Sequence, residues 1–207
     1  MKALSCIAAF MISAVSINLQ AAPYCGEINV GLSGGDYTNS EDRSKKLPIV
    51  EQYHFTPNIE NLVKGNSGTL GAELSYTLEH FPNHHRALTA LSKLALRDKT
   101  AQPTGAKYTV ECFFDRAIRF KPRDSIVRSV YSNHLLKLGR SDAALEQLKE
   151  AINLQPENPT INYNLGLLYM QKKDYEQART YAKKAYELGF PLPGLKNKLM
   201  EAGKWKD

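Results

Sequence analysis

The sequence predicts an all-α protein in which helix hairpins stack into a solenoid behind an irregular N-terminal segment. The main observation is an internal repeat, because residues 125–158 align with residues 159–192 at a step of 34 residues. Both units place alanine at the same two positions, namely Ala144 and Ala151 in the first unit and Ala178 and Ala185 in the second. Prolines at positions 82, 122, 156 and 191 close the successive hairpins. This combination of period, small residues and closing prolines is typical of stacked helical hairpins.

Residues 23–50 differ from the repeats, since they are rich in Gly, Ser, Asp and Thr and lack helical periodicity. We expect a loop here, with one short extended piece near residues 28–31, and helices that begin near Leu47 or Ile49. Thr56 followed by proline is a good helix start, because threonine caps helices and proline fits the first turn.

Four helices are expected between this segment and the clear repeats, over residues 58–63, 70–80, 84–97 and 107–120. In the last of them Val110, Phe113 and Ala117 follow the spacing of one helix face. A polar loop at 98–106 accounts for the longer step of 40 residues between the first two closing prolines.

The clear repeats supply four further helices, over residues 124–138, 141–154, 158–171 and 175–188. A final helix at 194–202 is predicted to cap the array, because the end of a solenoid needs a helix with one polar face. Its apolar side chains Leu195, Leu199 and Met200 are expected to face the preceding hairpin.

The first residues are typical of an export signal. Lys2 supplies a positive start, residues 3–17 are mostly apolar, and residues 19–22 offer small residues for cleavage. We predict cleavage after Ala21, because cleavage after Ala22 would leave a proline first. A retained membrane anchor is the alternative, but the apolar run is shorter than the ~20 residues that a spanning helix needs.

Cleavage there divides the chain into a signal peptide (1–21), a non-repeat segment (22–56) and a repeat array (57–207). The exported part has a formal net charge of +5, since the chain carries +6 and Lys2 is removed. Its positive and negative residues are interspersed, without a dense basic block, so nucleic acid is not an expected partner. No second long apolar stretch follows the signal, so no membrane span is expected after its removal.

Two cysteines remain once Cys6 leaves with the signal peptide. Cys25 and Cys112 form an even pair in an exported protein, which favours a disulfide. Closing their loop of 87 residues could stabilise the fold by about 4 kcal/mol. Two free thiols are the alternative, with Cys112 buried as a small apolar side chain.

The two clear units resemble the tetratricopeptide repeat (TPR) family. The second unit carries Tyr163-Asn164-Leu165-Gly166, followed by Tyr169, Asp174-Tyr175, Ala178, Ala182 and Ala185. The first unit carries Tyr131, Ser132, Leu135, Gly139, Ala144, Leu148, Ala151 and Pro156. Residues 83–124 look like a third unit stretched by its loop, and residues 57–82 like a degenerate fourth. The resemblance implies a right-handed solenoid that binds other proteins.

In this family the first helix of each hairpin lines a concave groove. The resemblance places the following residues on or beside that groove: Ile126, Ser129, Asn133, Leu136, Lys137, Thr160, Tyr163, Asn164, Leu167, Met170, Gln171 and Lys198. Some members clamp a terminal carboxylate, and Asn133, Asn164 and Lys198 fall on three of the clamp's places. Ser129 and Gly194 stand where that clamp has lysine, so the clamp looks incomplete.

The function that we expect is that of a periplasmic adaptor or assembly factor, which binds a protein or peptide segment of an envelope complex without catalysis or a cofactor. The rival hypothesis is a metal-binding or hydrolytic envelope protein with a site near His54, His84 and His85. These histidines lack the spacing of helical metal sites, and adjacent histidines point to different faces of a helix. Self-association of the array is a third possibility.

Overall fold

The computed structural model describes residues 25–205, so the predicted signal peptide lies outside the described residues. Within that range the protein has eleven α-helices and no strand. The first four are α1 (Ser40–Lys45), α2 (Leu47–His54), α3 (Pro57–Glu60) and α4 (Leu70–His80). The next four are α5 (His85–Asp98), α6 (Val110–Phe120), α7 (Ser125–Lys137) and α8 (Ser141–Leu154). The last three are α9 (Pro159–Gln171), α10 (Tyr175–Glu187) and α11 (Gly194–Glu201).

The predicted solenoid of helix hairpins is confirmed. Helices α5 and α6, α7 and α8, and α9 and α10 form three successive hairpins, and α3 with α4 precedes them. The hairpins begin at side-chain caps: Asp124 accepts hydrogen bonds from two backbone N–H groups of α7, and Asn158 does the same for α9. These caps satisfy helix N–H groups that have no partner within the helix, and so they fix where each hairpin starts.

Small residues allow the last hairpin to pack closely. Ala178, Ala182 and Ala185 of α10 are completely buried. An added Cβ at Gly166 of α9 would lie 2.5 Å from Leu195 Cδ2 and 3.2 Å from the carbonyl oxygen of Ala178. Only glycine fits there without a shift of its neighbours, which explains the small residues that the repeat pattern showed.

Aromatic side chains join the core of one hairpin to the core of the next. Tyr131 of α7 packs against both the core of the α5–α6 hairpin and that of the α7–α8 hairpin. Its ring stacks on Phe114 with the centroids 4.6 Å apart. Tyr169 of α9 likewise packs against the two clusters on either side of it. The apolar core is therefore continued along the whole array.

The capping helix differs from its prediction in one residue. Leu195 and Leu199 of α11 are completely buried against α9 and α10, as predicted. Met200 is 56% exposed, so the expectation that it faces inward is wrong. It follows Leu199 by only one position, and successive helix positions point in different directions. Trp205 packs beside the cap, in an edge-on contact with Tyr186.

The N-terminal segment contains more helix than its composition predicts. Helix α1 lies within residues that we expected to form a loop. Asn39 caps it by accepting hydrogen bonds from the N–H groups of Glu41 and Asp42. Ion pairs one turn apart, Lys45 with Glu41 and Lys46 with Asp42, support it further. Such local polar interactions leave no apolar periodicity for a sequence pattern to reveal.

Helix α3 is shorter than predicted. It ends at Glu60 rather than near Val63, and Leu62 adopts a left-handed conformation with φ of 58°. A helix cannot continue through that conformation, which costs energy for a residue with a side chain.

The N-terminal segment crosses the outer surface, which we define as the surface formed by the second helices α4, α6, α8 and α10. The predicted disulfide joins Cys25 to Cys112 of α6. Arg116 of α6 donates hydrogen bonds to the carbonyl oxygens of Cys25 and Glu27. Farther along, the N–H of Gly35 donates to the carbonyl of His80 at the end of α4. The opposite, concave surface is formed by α5, α7, α9 and α11, and the segment reaches the start of α5, where Glu51 pairs with Arg86.

Removal of the disulfide tests how much this attachment stabilises the protein. We expect the double variant Cys25→Ser/Cys112→Ser to lose about 2–4 kcal/mol of the free energy of unfolding, because the unfolded chain regains the freedom of a long loop. Urea unfolding under non-reducing conditions measures it. A reductant should destabilise the wild type to the same level and leave the variant unchanged. Equal stability of the oxidised wild type and the variant would contradict this role.

Candidate functional site

A hollow of about 880 Å³ lies on the concave surface between α7, α9 and α11. We call it the concave hollow. Its walls come from three successive elements of the array, and they consist of Asn133, Leu136 and Lys137 of α7, Leu167, Met170 and Gln171 of α9, and Lys198, Glu201 and Ala202 at the end of α11. The structure thus brings seven of the predicted groove residues around one space.

The concave hollow combines an apolar floor with a polar rim. Leu136, Leu167 and Met170 are half-buried and offer apolar surface. Asn133 and Gln171 are exposed and carry amides, which can both donate and accept hydrogen bonds. Lys137 and Lys198 add two positive charges at the rim, against one negative charge from Glu201. An extended backbone or an amphipathic helix could satisfy such a mixed surface.

Ser129 does not face the groove as predicted, because it is buried at 4% exposure. Its hydroxyl oxygen accepts a hydrogen bond from the Asn164 amide nitrogen at 3.0 Å. The two side chains therefore link α7 to α9. This internal role makes the carboxylate clamp less complete still, since the Asn164 amide already donates a hydrogen bond to Ser129.

Other predicted groove residues lie outside the concave hollow. Tyr163 is half-buried, and its ring stacks on Phe190 with the centroids 3.9 Å apart. Thr160 is exposed at the start of α9. Ile126 lines a smaller hollow of about 270 Å³ between α5 and α7, together with Arg86 and Lys93. Ile126 and the residues around the concave hollow therefore line two different spaces.

The histidines of the rival hypothesis are each paired with a different carboxylate. His54 lies 2.7 Å from Glu73. His84 lies 3.0 Å from Glu51 and His85 lies 2.8 Å from Asp124. Among residues 25–205, no group of three histidine, cysteine or acidic side chains is arranged to hold a metal ion.

The carboxylate of Glu73 shows why these pairs serve the fold. It is buried, and one of its oxygens accepts hydrogen bonds from the backbone N–H groups of Asn66, Ser67 and Gly68. Burial would raise the pKa of Glu73, but these bonds and the contact with His54 outweigh it and lower the pKa. Glu73 thus remains ionised and holds the loop before α4 in place.

A second polar cluster attaches the N-terminal segment to two inter-hairpin turns. The buried Asn83 amide donates to Asp36 at 2.8 Å and to Asp124 at 3.0 Å, and its oxygen accepts from the N–H of Tyr37. Lys121 forms an ion pair with Asp36. Nothing in the sequence marks this cluster, because its members come from three distant positions and two of them read simply as turn or cap residues.

Comparisons with known proteins agree with this architecture. A family model described as TPR repeat matches residues 133–173, and one described as tetratricopeptide repeat matches residues 159–188. Residues 133–188 of this chain therefore carry tetratricopeptide repeats. Repeats of this family serve as protein–protein interaction modules, and the residues of α7 and α9 that line the concave hollow lie within the matched range. Comparison with curated proteins yields no match.

One solved structure shares this fold. PilF of Pseudomonas aeruginosa is 23% identical, over 79% of this chain and 70% of PilF, with a TM-score of 0.54. MamA of MSR-1 is 20% identical, over 69% of this chain and 74% of MamA, with a TM-score of 0.45. Within residues 25–205, none of the helices combines the length and apolar character needed to cross a membrane.

The polar cluster around Asp36 makes the stability of the folded protein depend on pH. Burial alone would raise the pKa of Asp36, but hydrogen bonds from Lys121, Thr38 and Asn83 outweigh it and lower the pKa from 3.8 to about 2. A lowered pKa stabilises the folded protein above the unfolded value, and the effect disappears as the pH falls through the folded value. The lowered pKa of Asp36 therefore contributes on the order of 2 kcal/mol to the free energy of unfolding at neutral pH.

We therefore expect the difference in unfolding free energy between wild type and Asp36→Asn to be constant above about pH 4 and to shrink towards pH 2. Urea unfolding across that range measures it. The variant Glu150→Gln, on the exposed face of α8, controls for the loss of one negative charge. A wild-type advantage over Asp36→Asn that persists unchanged at pH 2 would show that the carboxylate is not held in this way.

Proposed function

We propose that this protein is a periplasmic adaptor or assembly factor, which holds one segment of an envelope protein in the concave hollow. The observation that carries the proposal is a mixed apolar and amide surface built by three successive elements, α7, α9 and α11. The N-terminal segment is fixed to the outer surface. The array therefore has its concave surface available for a partner.

The chemistry of the hollow favours a segment with apolar anchors and acidic flanks. Leu167 and Met170 provide contact area for apolar side chains, and methionine adapts to irregular shapes. The two lysines at the rim outnumber the one carboxylate. Acidic residues beside the anchors would be attracted to this rim, which raises the rate of association more than the final affinity.

Two features of the chain support an exported location. The first residues have the order of charge, apolar run and small residues of a secretory signal. Cys25 and Cys112 form a disulfide, which persists in oxidising compartments such as the periplasm. Neither feature is part of the general pattern of a tetratricopeptide repeat.

The role of the concave hollow is tested with a pair of methionine variants. Met170→Glu places a negative charge on the floor of the hollow, whereas Met200→Glu places the same charge on the exposed side of α11. We expect proteins captured in cells by the wild type and by Met200→Glu to be lost with Met170→Glu, by tenfold or more, because a charge buried at a contact is costly. Quantitative mass spectrometry of the captured proteins measures this ratio, and circular dichroism verifies that both variants remain helical.

Equal capture by the two methionine variants would contradict binding in the concave hollow. Tyr163 is a poorer position for such a test, because its ring stacks on Phe190 and fills the space beside the cap. A substitution there would disturb the packing of α9 against the end of the array as well as any partner contact.

A further inference from the structure

A further cavity shares none of its lining residues with the concave hollow. It has a volume of about 770 Å³ and lies between the end of α5, the start of α6 and the end of α7. We call it the side cavity. Its volume falls within the range of small-molecule sites, which are commonly about 300–1,000 Å³.

The two departures of this chain from a regular repeat both contribute to the side cavity. One wall is the loop after α5, with Lys99, Thr100 and Ala101, and this loop belongs to the stretch that lengthens the repeat. The N–H of Val110 donates to the carbonyl of Ala101 at 2.9 Å, which holds the loop against α6. Cys25 and Cys112, which form the disulfide, also line the cavity. A regular hairpin would have neither this loop nor the disulfide.

One buried polar side chain in the side cavity keeps a hydrogen-bonding atom free. His134 lines the cavity and is only 4% exposed. Its Nδ1 lies 2.8 Å from the hydroxyl oxygen of Ser92. Among residues 25–205 no group bonds to Nε2. Burial lowers the pKa of His134, so the ring is neutral at pH 7 and carries one proton.

The position of that proton follows from Ser92. Ser92 is buried, and His134 Nδ1 is its side-chain hydrogen-bond partner among the described residues. A buried hydroxyl needs an acceptor for its hydrogen, so the hydroxyl donates to Nδ1. The proton of the neutral ring then resides on Nε2. His134 therefore presents a donor to the side cavity.

The carboxylates of the side cavity are already satisfied. Glu111 accepts a hydrogen bond from the Tyr131 hydroxyl at 3.0 Å and pairs with Arg140 at 2.7 Å. Asp115 pairs with Arg119 at 2.7 Å. Two negative charges and the ammonium group of Lys99 thus lie in the wall, while most of the remaining surface is apolar.

We propose that the side cavity binds a small, largely apolar and uncharged molecule with a carbonyl-type oxygen, which accepts a hydrogen bond from His134 Nε2. The apolar walls of the cavity supply the contact area for its body. An anion would lose its hydration against walls that are mostly apolar, and the charges of Glu111 and Asp115 are already balanced by Arg140 and Arg119. A cation is repelled by the ammonium group of Lys99, and both carboxylates are already paired with arginines.

Four probes of nearly equal size test the class of ligand by two-dimensional NMR titration of the whole exported chain. Acetophenone carries the acceptor, ethylbenzene lacks it, benzoate is anionic and benzylammonium is cationic. We expect acetophenone to shift the amide signals of the cavity residues and to bind about five- to tenfold more tightly than ethylbenzene, which corresponds to one hydrogen bond. Benzoate and benzylammonium should bind more weakly than acetophenone.

Two variants and a control locate the binding. His134→Phe keeps a ring but removes the donor, and it should weaken acetophenone to the level of ethylbenzene. Ala101→Trp changes an exposed residue of the loop wall, and its large side chain should block all four probes. His80→Phe, at the end of α4, should bind like the wild type.

Three results would overturn the proposal: no probe shifts the cavity signals, a charged probe binds more tightly than acetophenone, or Ala101→Trp binds as the wild type does. Since Ala101→Trp alters only a loop surface, it remains informative even if His134→Phe fails to fold.

Discussion

The structure depends on one constraint: a helix hairpin of this length cannot bury its own apolar face and must pack that face against a neighbouring hairpin. Tyr131 and Tyr169 show how this happens, since each packs into the cores on both sides of it. At the C-terminal end, α11 closes the core with Leu195 and Leu199 and turns its polar face to solvent. At the other end α2 and Tyr37 pack on Phe81, which is completely buried.

The N-terminal segment does more than close one end of the array. It runs from the disulfide on α6 to the turn before α5, and Asp36, Asn83 and Asp124 hold it there through hydrogen bonds between distant parts of the chain. None of its described residues lines the concave hollow, whereas Cys25 forms part of the wall of the side cavity. The first suits a protein segment and the second a small molecule, so the two proposed functions need not compete for the same residues.

The sequence predicted the hairpins well because their signals are local. Apolar spacing, capping residues and closing prolines each act within a few residues, and they placed α4 and α7 to α11 within one or two positions. Helix α1 was missed because polar pairs, not an apolar face, support it. The burial of Ser129 and the cluster around Asn83 could not be predicted, since both depend on contacts between helices whose relative positions are set only by packing. The side cavity likewise depends on contacts between separate elements, so no local pattern in the sequence predicts it.

The central claim is that recognition occurs on the concave surface and not on the outer surface. Photo-crosslinking in living cells tests this most directly, with p-benzoylphenylalanine placed at Gln171 on the rim of the concave hollow or at Glu150 on the exposed face of α8. We predict one discrete crosslinked product from Gln171 that is absent from Glu150. The same product from both positions, or a product from Glu150 alone, would contradict it.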